Sequence, residues 1–458
     1  MNEQEQLQNK ENGFISIKKI VVMAVIVLVL FALAIVAIFL FAPDAMPVDW
    51  SKVRKIPTKV TLLAAEDDRN PTDTHALVKL NEDGSVDASD WNVLQFTDIH
   101  LTQDDERNEV SLNLLIDTLN REKPDFVVLT GDIITRPRGR ARAIQLAQIF
   151  ERMGIYWSYC LDNHEGDSMP YTLSREENIR IWSEYDHCLL DNDVKKTSDG
   201  TPVWGLGNTV VNLLGADYNV VQSMIFMDSG SKLTDESVAE LKEKGVEDID
   251  KSSYDFLKSS QMTWYEEQVR AVTDDLTNGV KTMLFIHIPL AEQANVKLIK
   301  YTDVLEEDWY YAYPEKPLMI GEETYGYTVV KKGWKLAGGT ESYEKCYCSD
   351  YNMGMYDLMK SLRAGVNAMF CGHDHISNSI LYEEDIALDD PVYLCYGICS
   401  GLQSYNMYSM GLSDTDDYSL RGYATITVHA DSTFDYHQVR YNDIEHPAAC
   451  IVGGVACD

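Results

Sequence analysis

From Trp91 onward the chain alternates short apolar runs with amphipathic stretches. Val93–Thr97, Phe126–Leu129 and Ile155–Cys160 are apolar and β-branched or aromatic, and each gives way to polar residues or glycine, which predicts buried strands. Between them Leu112, Leu115, Ile116 and Leu119 recur at helical spacing, as do Leu146, Ile149, Phe150 and Met153. The alternation reads as βαβαβ, hence an α/β fold with a parallel sheet and right-handed crossovers. Further strands are predicted at Asn208–Leu214, Val221–Met227, Thr282–Ile286 and Asn367–Cys371, and helices over 261–272 and 356–364, the second stopped by Gly365. Ala424, Ile426 and Val428 alternate with polar residues and turn at Asp431-Ser432 into a partner strand, Thr433–Arg440.

The N-terminal pattern is different. Ile20–Ala42 is apolar without a charge, preceded by Lys18 and Lys19 and followed by Pro43-Asp44. At about 1.5 Å per residue such a run spans a hydrocarbon core of about 30 Å. Its length favours an uncleaved transmembrane signal-anchor over a cleaved signal peptide, whose apolar core is about 7–15 residues. The lysines place the N-terminus in the cytoplasm and everything after Ala42 outside, as in a single-pass cell-surface protein.

Composition narrows the partners. With 45% hydrophobic residues the 458-residue chain can bury a sizeable core, and its net charge of -34 repels polyanions, so nucleic acid is not expected. The nine cysteines contain no C-x-x-C, so no structural zinc site is signalled. Cys450 and Cys457 could pair, Cys346 and Cys348 are too close to favour a bond, and Cys160 and Cys371 read as core residues.

The predicted strands end in unusual company: Asp98 and His100, Asp132, Asn163 and His164, His287, His373 and His375. Five of the ten histidines are at these ends. Imidazole with carboxylate suits Zn, Fe or Mn better than Mg or Ca. Eight such groups exceed one tetrahedral ion and suit two ions sharing a carboxylate, an arrangement that clamps both oxygens of a phosphoryl displacement.

Asp-x-His, Gly-Asp, Asn-His-Glu, a lone His after an apolar strand and Gly-His-x-His, in that order across residues 91–440, resemble the calcineurin-like metallophosphoesterases. Phe226-Met-Asp-Ser-Gly230, Ser259-Ser-Gln261 with Trp264, Phe285-Ile-His-Ile-Pro289, Gly372-His-Asp-His375 and Leu394-Cys-Tyr-Gly397 resemble the purple-acid-phosphatase-like branch. The resemblance implies a two-sheet β-sandwich flanked by helices, with a dinuclear site at the strand ends. Asp98, His100 and His375 would hold one metal, Asn163, His287 and His373 the other, and Asp132 both. His164 would stabilise the transition state and protonate the leaving oxygen, while a metal-bound hydroxide attacks a phosphomonoester or phosphodiester, small or lipid-linked. The same resemblance leaves room for a non-catalytic, metal-binding receptor or scaffold that retained the fold.

The implied division is a cytoplasmic tail (1–19), the anchor (20–42), a stem with minor β structure (43–88), a metallophosphoesterase domain (89–445) and a C-terminal tail (446–458). Two departures stand out. Asp162 replaces a glycine common before Asn-His; it either distorts the turn or adds a carboxylate that raises the basicity of His164. Thr135 stands where purple acid phosphatases carry the tyrosine ligand, so an obligatory ferric ion is not implied. Asp374 is expected beside the ligands rather than on a metal, Glu165 is either structural or beside them, and Arg421 is either a substrate-phosphate contact or a surface residue. The insertion 289–352 carries Trp309, Tyr310, Tyr311, Tyr313, Tyr325, Tyr327 and Trp334, and forms either a wall of the cleft or a lid packed on its own aromatics.

Overall fold

In the computed structural model, residues 17–41, 48–102, 105–135, 139–164, 173–320, 323–384, 390–405, 420–453 and 455–456 are described. The chain divides into two units, Met1–Met46 and Pro47–Asp458. In the first, the apolar run forms a helix, Ile17–Phe41, whose side chains from Ile20 to Leu33 are largely exposed. Among the described residues no helix is long and apolar enough to cross a membrane. The side chains described in this helix run from Lys19 to Ala34, which at ~1.5 Å per residue is about 24 Å.

The second unit is built on two large sheets. The larger runs in the order Val60–Leu63, His75–Lys79, Thr209–Leu214, Val220–Phe226, Lys281–Phe285, Val366–Cys371, Tyr393–Tyr396, Ile380–Glu383 and Trp334–Gly338. The other runs Val455–Ala456, Ala449–Val452, Phe434–Arg440, Gly422–Val428, Trp91–Phe96, Phe126–Leu129 and Tyr156–Tyr159. The last three of these are mutually parallel, as the βαβαβ pattern requires. Their connecting helices, Asp105–Glu122 and Gly139–Met153, bury the faces that the periodicity marks. In the stretch expected as a stem with minor β structure, Val60–Leu63 pairs with His75–Lys79, which lies parallel to Thr209–Leu214 of the larger sheet. The expected C-terminal tail likewise supplies Ala449–Val452, paired with Phe434–Arg440.

One apolar cluster joins the two sheets face to face. Trp91, Val93, Phe126, Ile426 and Tyr436 of one sheet meet Met224, Phe226, Phe285, Ala368 and Phe370 of the other. Phe226, Phe285 and Phe370 occupy one rung of three adjacent parallel strands, and their rings stack with centroids 5.0 Å apart. Phe126 meets Phe226 edge to face at 6.4 Å, and Phe370 meets Tyr436 at 5.2 Å, across the interface. Phe96, Leu129 and Tyr159 share the corresponding rung of the other sheet. The strands therefore stop level with one another, and the residues after each rung emerge at one rim.

Three polar side chains fix the sheets near that rim. Gln95 Nε2 donates to Thr130 Oγ1 at 2.9 Å and to the Cys371 carbonyl at 3.3 Å. Tyr436 donates to the Tyr396 carbonyl at 2.8 Å, and Gln438 Nε2 to the Tyr396 and Asn378 carbonyls at 2.7 and 3.0 Å. In a buried setting such bonds specify one alignment, because breaking any of them strands a polar group.

The insertion folds into its own antiparallel sheet, in the order Trp309–Ile320, Glu323–Lys331, Val296–Lys300. Three of its aromatics pack on one another, Tyr327 against Tyr301 and Tyr311, with ring centroids 5.0 and 4.8 Å apart. Tyr310 donates to the Trp334 carbonyl, and Trp334 packs on Tyr356.

Phe285→Ala is expected to lower stability by about 3–5 kcal/mol, since it empties the middle of the aromatic ladder. Urea unfolding should show a lower midpoint at unchanged slope; an unchanged midpoint would mean that the ladder does not hold the rim.

Candidate metal centre

Each ligand position lies two to five residues past the aligned rungs. Asp98 and His100 follow Trp91–Phe96; Asp132 follows Phe126–Leu129; Asn163 and His164 follow Tyr156–Tyr159. His287 follows Lys281–Phe285, while His373 and His375 follow Val366–Cys371. All are buried except His164, whose side chain is 38% exposed.

The backbone is strained where the ligands sit. Asp98 and His100 (φ 53° each), Asp132 (φ 50°) and His373 (φ 80°) occupy the left-handed region, which costs a non-glycine residue roughly 1–2 kcal/mol. Gly131 has φ 88°, and a Cβ there would fall 2.2 Å from His287 Nδ1. Only glycine lets the imidazole approach so closely, with its Nδ1 2.8 Å from the Thr130 carbonyl. That contact leaves Nε2 as the nitrogen facing the cluster.

Two groups of potential ligand atoms converge, Asp98–His100–Asp132–His375 and Asp132–His287–His373, and Asp132 belongs to both. The Nε2 atoms of His100 and His375 face each other at 2.9 Å. Asp132 Oδ2 lies 3.4 Å from His100 Nε2, and Asp98 Oδ1 lies 3.3 Å from His375 Nε2. On the other side His287 Nε2 is 3.4 Å from Asp132 Oδ1, 2.9 Å from Asn163 Oδ1 and 3.3 Å from His373 Nδ1. Donors about 2.0–2.1 Å from one ion lie about 3.0–3.4 Å apart at right-angled to tetrahedral settings, so these spacings fit a transition metal on each side. Asp132 Oδ1 is buried without a hydrogen-bond partner, as the oxygen of a carboxylate meant for a cation would be.

The electrostatics point the same way. Burial holds His100 and His373 down to about 3, which keeps both imidazoles neutral with lone pairs available. Burial also opposes charge on His287, but the carboxylates of Asp132, Asp98 and Asp162 outweigh it and lift His287 to about 10. Asp132 remains ionised well below the usual carboxylate range, because His287, His164 and His100 overcome its burial. Without metal the cluster thus carries part of its countercharge as a proton on His287, which a divalent cation would replace.

Asp162 is not among the positive-φ positions of the turn, and its carboxylate interacts electrostatically with His164. Its Oδ2 accepts from the Asp132 N–H and the Tyr159 hydroxyl, both at 2.6 Å, and its Oδ1 from the His164 N–H at 2.9 Å. Burial, then the Asp132 carboxylate, push it up to about 6. It is a backbone brace between two ligand loops. The stretch after Phe226 is a second brace. Asp228 pairs with Arg175, whose Nη1 also donates to the Asp162 carbonyl. Ser229 Oγ accepts from the Ile288 N–H, next to His287, and Ser231 Oγ donates to the Asn163 carbonyl at 2.8 Å. Gln261 Nε2 holds the Asp228 carbonyl at 2.7 Å.

Arg421 is not a surface residue, and its described contacts are with backbone and Ser404. It is buried, donating to the His375 and Tyr405 carbonyls at 2.9 and 2.8 Å and to Ser404 Oγ. Asp374 is not in either ligand group; its carboxylate accepts from the Tyr347 N–H and the Tyr396 hydroxyl. Glu165 lies outside the described residues, as does Cys457. Cys450 is disulfide-bonded, and Cys160 and Cys371 are buried in the two main apolar clusters.

Over the cluster opens a pocket of about 320 Å³ lined by Asp132, Asn163, His164, His373 and His375 together with Tyr254, Glu344, Tyr347 and Tyr405. The last four carry no motif. Tyr405 lies on His375 with ring centroids 4.3 Å apart, and Tyr254 meets His373 edge-on at 4.6 Å. The insertion does wall the cleft, but through Glu344 and Tyr347 near its end; none of its predicted aromatics is among the lining residues described.

A sequence model of the calcineurin-like phosphoesterase family matches residues 92–377, more than half of the chain; the purple-acid-phosphatase-like branch is not singled out by it. No curated protein sequence matches significantly. Among solved structures, a dimetal phosphatase from Danio rerio is 10% identical with a TM-score of 0.37, covering 74% of this chain and 93% of that one. TT1561 of Thermus thermophilus is 7% identical, with a TM-score of 0.32 and coverage of 77% and 100%. GAP50, the anchor in the inner membrane complex of Plasmodium, is 10% identical, with a TM-score of 0.41 and coverage of 80% and 89%. The sequence match takes in every strand end from Asp98 to His375, and the chain belongs to the calcineurin-like phosphoesterase family.

Proposed function

We propose that this chain hydrolyses phosphoric esters, mono- or diesters, with two divalent transition-metal ions (Mn, Fe or Zn) held at the strand ends. The observation that carries the reading is the pair of ligand groups joined through Asp132. Asp98, His100 and His375 would hold one ion, Asn163, His287 and His373 the other, and Asp132 both. When bound, the ions supply the Lewis acidity that activates water and neutralises the phosphoryl oxygens. Water then adds to phosphorus, the ester P–O bond breaks, and the leaving oxygen takes up a proton. His164 is the group for that proton: it is partly exposed at the rim, with Nε2 3.7 Å from Asp132 Oδ2, and it is outside both ligand groups. Phe226–Gly230, Ser259–Gln261 and Gly372–His375 support a place near the purple-acid-phosphatase-like branch, with Thr135 in place of its tyrosine.

We also propose that the helix Ile17–Phe41 anchors the protein, with the hydrolase unit on the extracytoplasmic side and reach to lipid-linked as well as small phosphoesters. The charge-free run Ile20–Ala42 and the preceding Lys18-Lys19 support this reading.

Plasma emission analysis of the purified protein should find about two transition-metal ions per chain, and aryl phosphate mono- or diesters should be cleaved after Mn, Fe or Zn loading. No metal and no cleavage under any loading would leave the non-catalytic scaffold instead. Asp132→Asn is expected to abolish turnover and lower metal content, because both ions lose their shared anion. His164→Ala should reduce kcat by about 10²–10⁴ with metal content unchanged; metal loss in that variant would contradict its role. Asp162→Ala removes the acceptor of two backbone N–H groups and should cost about 1–3 kcal/mol in urea unfolding. Full-length protein should stay with membranes through alkaline carbonate extraction, and deletion of residues 1–46 should release it.

A further inference from the structure

The wall of the pocket away from the ligands has a definite chemistry. Tyr254, Tyr347 and Tyr405 stand around it, and Glu344 is the one carboxylate among them. Among the described lining residues there is no lysine or arginine. Glu344 behaves as an acceptor only, taking the Ile376 N–H at 2.7 Å on Oε1 and the Tyr405 hydroxyl on Oε2. An ionised carboxylate has about four lone-pair sites, so both oxygens retain capacity toward a cation. Two of these tyrosines are held through their backbone. Arg421 fixes the Tyr405 carbonyl, and Asp374 fixes the Tyr347 N–H. One of these rings already carries an ammonium: Lys232 Nζ lies 3.4 Å from the ring centroid of Tyr254.

Tyrosine faces and a carboxylate around a small cavity recognise an alkylammonium group. They disfavour a second phosphate or a carboxylate, because no lysine or arginine is among the described lining residues; Lys232 is on the Tyr254 ring but is not one of them. We infer that the pocket selects phosphoric esters bearing a cationic amino alcohol, of the choline or ethanolamine type, with the ammonium between Glu344 and the tyrosines and the phosphate toward the ligand cluster. This rests on the hydrolase reading above and names its substrate class. The volume of about 320 Å³ suits a head group of that size, free or at the end of a lipid.

Two readouts on the full-length protein test it separately. In calorimetry, choline should bind about tenfold tighter than its neutral isostere 3,3-dimethylbutanol. In Mn-loaded protein, kcat/KM for p-nitrophenyl phosphocholine should exceed that for p-nitrophenyl 3,3-dimethylbutyl phosphate by about tenfold. Glu344→Gln should collapse both ratios toward one, and Tyr347→Leu, at an exposed position, should reduce both without disturbing the core. Equal rates on the two esters in the unsubstituted protein would overturn the inference and leave the hydrolase intact. Preferential choline binding with no ester cleaved under Mn, Fe or Zn would overturn the hydrolase and leave the ammonium site. Sphingomyelin or lysophosphatidylcholine vesicles against soluble glycerophosphocholine then separate a lipid head group from a free ester. Cleavage of either supports the class; cleavage of neither, while a neutral alkyl diester is cleaved, overturns it.

Discussion

The rest of the structure answers to one constraint: the Asp132 carboxylate is buried and ionised at the meeting point of two sheets. Removing such a charge from water costs several kcal/mol unless a countercharge is supplied. Neither Lys nor Arg comes within ion-pair distance of Asp132 among the described residues; its charged or titratable neighbours there are histidines. That choice is what separates a metal centre from a structural ion pair. A guanidinium would satisfy the carboxylate permanently, whereas an imidazole can give up its proton and leave the place to a cation. The left-handed backbone at Asp98, His100, Asp132 and His373 serves the same end, because it turns each ligand inward where an ordinary strand end would release it.

Such strain persists only where packing over-determines it. The stacked Phe226, Phe285 and Phe370 and the matching rung Phe96, Leu129 and Tyr159 make the strands stop together. Gln95, Tyr436 and Gln438 then lock one sheet's rim to the other's. A slip of one residue in any of these strands would send its ligand to the opposite face. Site geometry and core register are in that sense the same property, read at two depths of the sandwich.

Much of this was legible in the sequence because strand cores and strand ends have opposite demands. Apolar runs mark the segments buried on both faces. A histidine or aspartate directly after one such run is ordinary, but the same placement after five runs is hard to account for except by a shared ligand. The converging ligand positions are legible for that reason, and so are the helices whose apolar faces repeat at 3.6 residues. The parts that were not legible depend on which way a side chain turns. Asp162 carries a charge beside His164 in sequence, yet directs its oxygens to backbone N–H groups; Arg421 has the charge to meet phosphate, yet donates to carbonyls. The insertion's aromatics stand out by number, but they pack on one another, on the core or on lysines, and the cleft wall comes from Glu344 and Tyr347, which belong to no periodic pattern. That the hairpin of Val60–Leu63 and His75–Lys79 continues into the larger sheet was not legible, because a strand such as His75–Lys79 has the same sequence whether or not its second edge pairs with Thr209–Leu214.

Asp162 shows how a departure from a family pattern can be read physically. Glycine at a turn is required when φ is positive or when a Cβ would collide. Neither condition forces it here, since the positive φ values fall at Asp98, His100, Asp132 and His373 and not at Asp162. With that position open to a side chain, a carboxylate can serve the N–H groups of Asp132 and His164, both of which the irregular loops leave without a ladder partner. The consequence is a second buried acid next to the shared one. Burial and the Asp132 charge raise it to about 6, and its two oxygens brace the Asp132 and His164 loops from beside the shared acid.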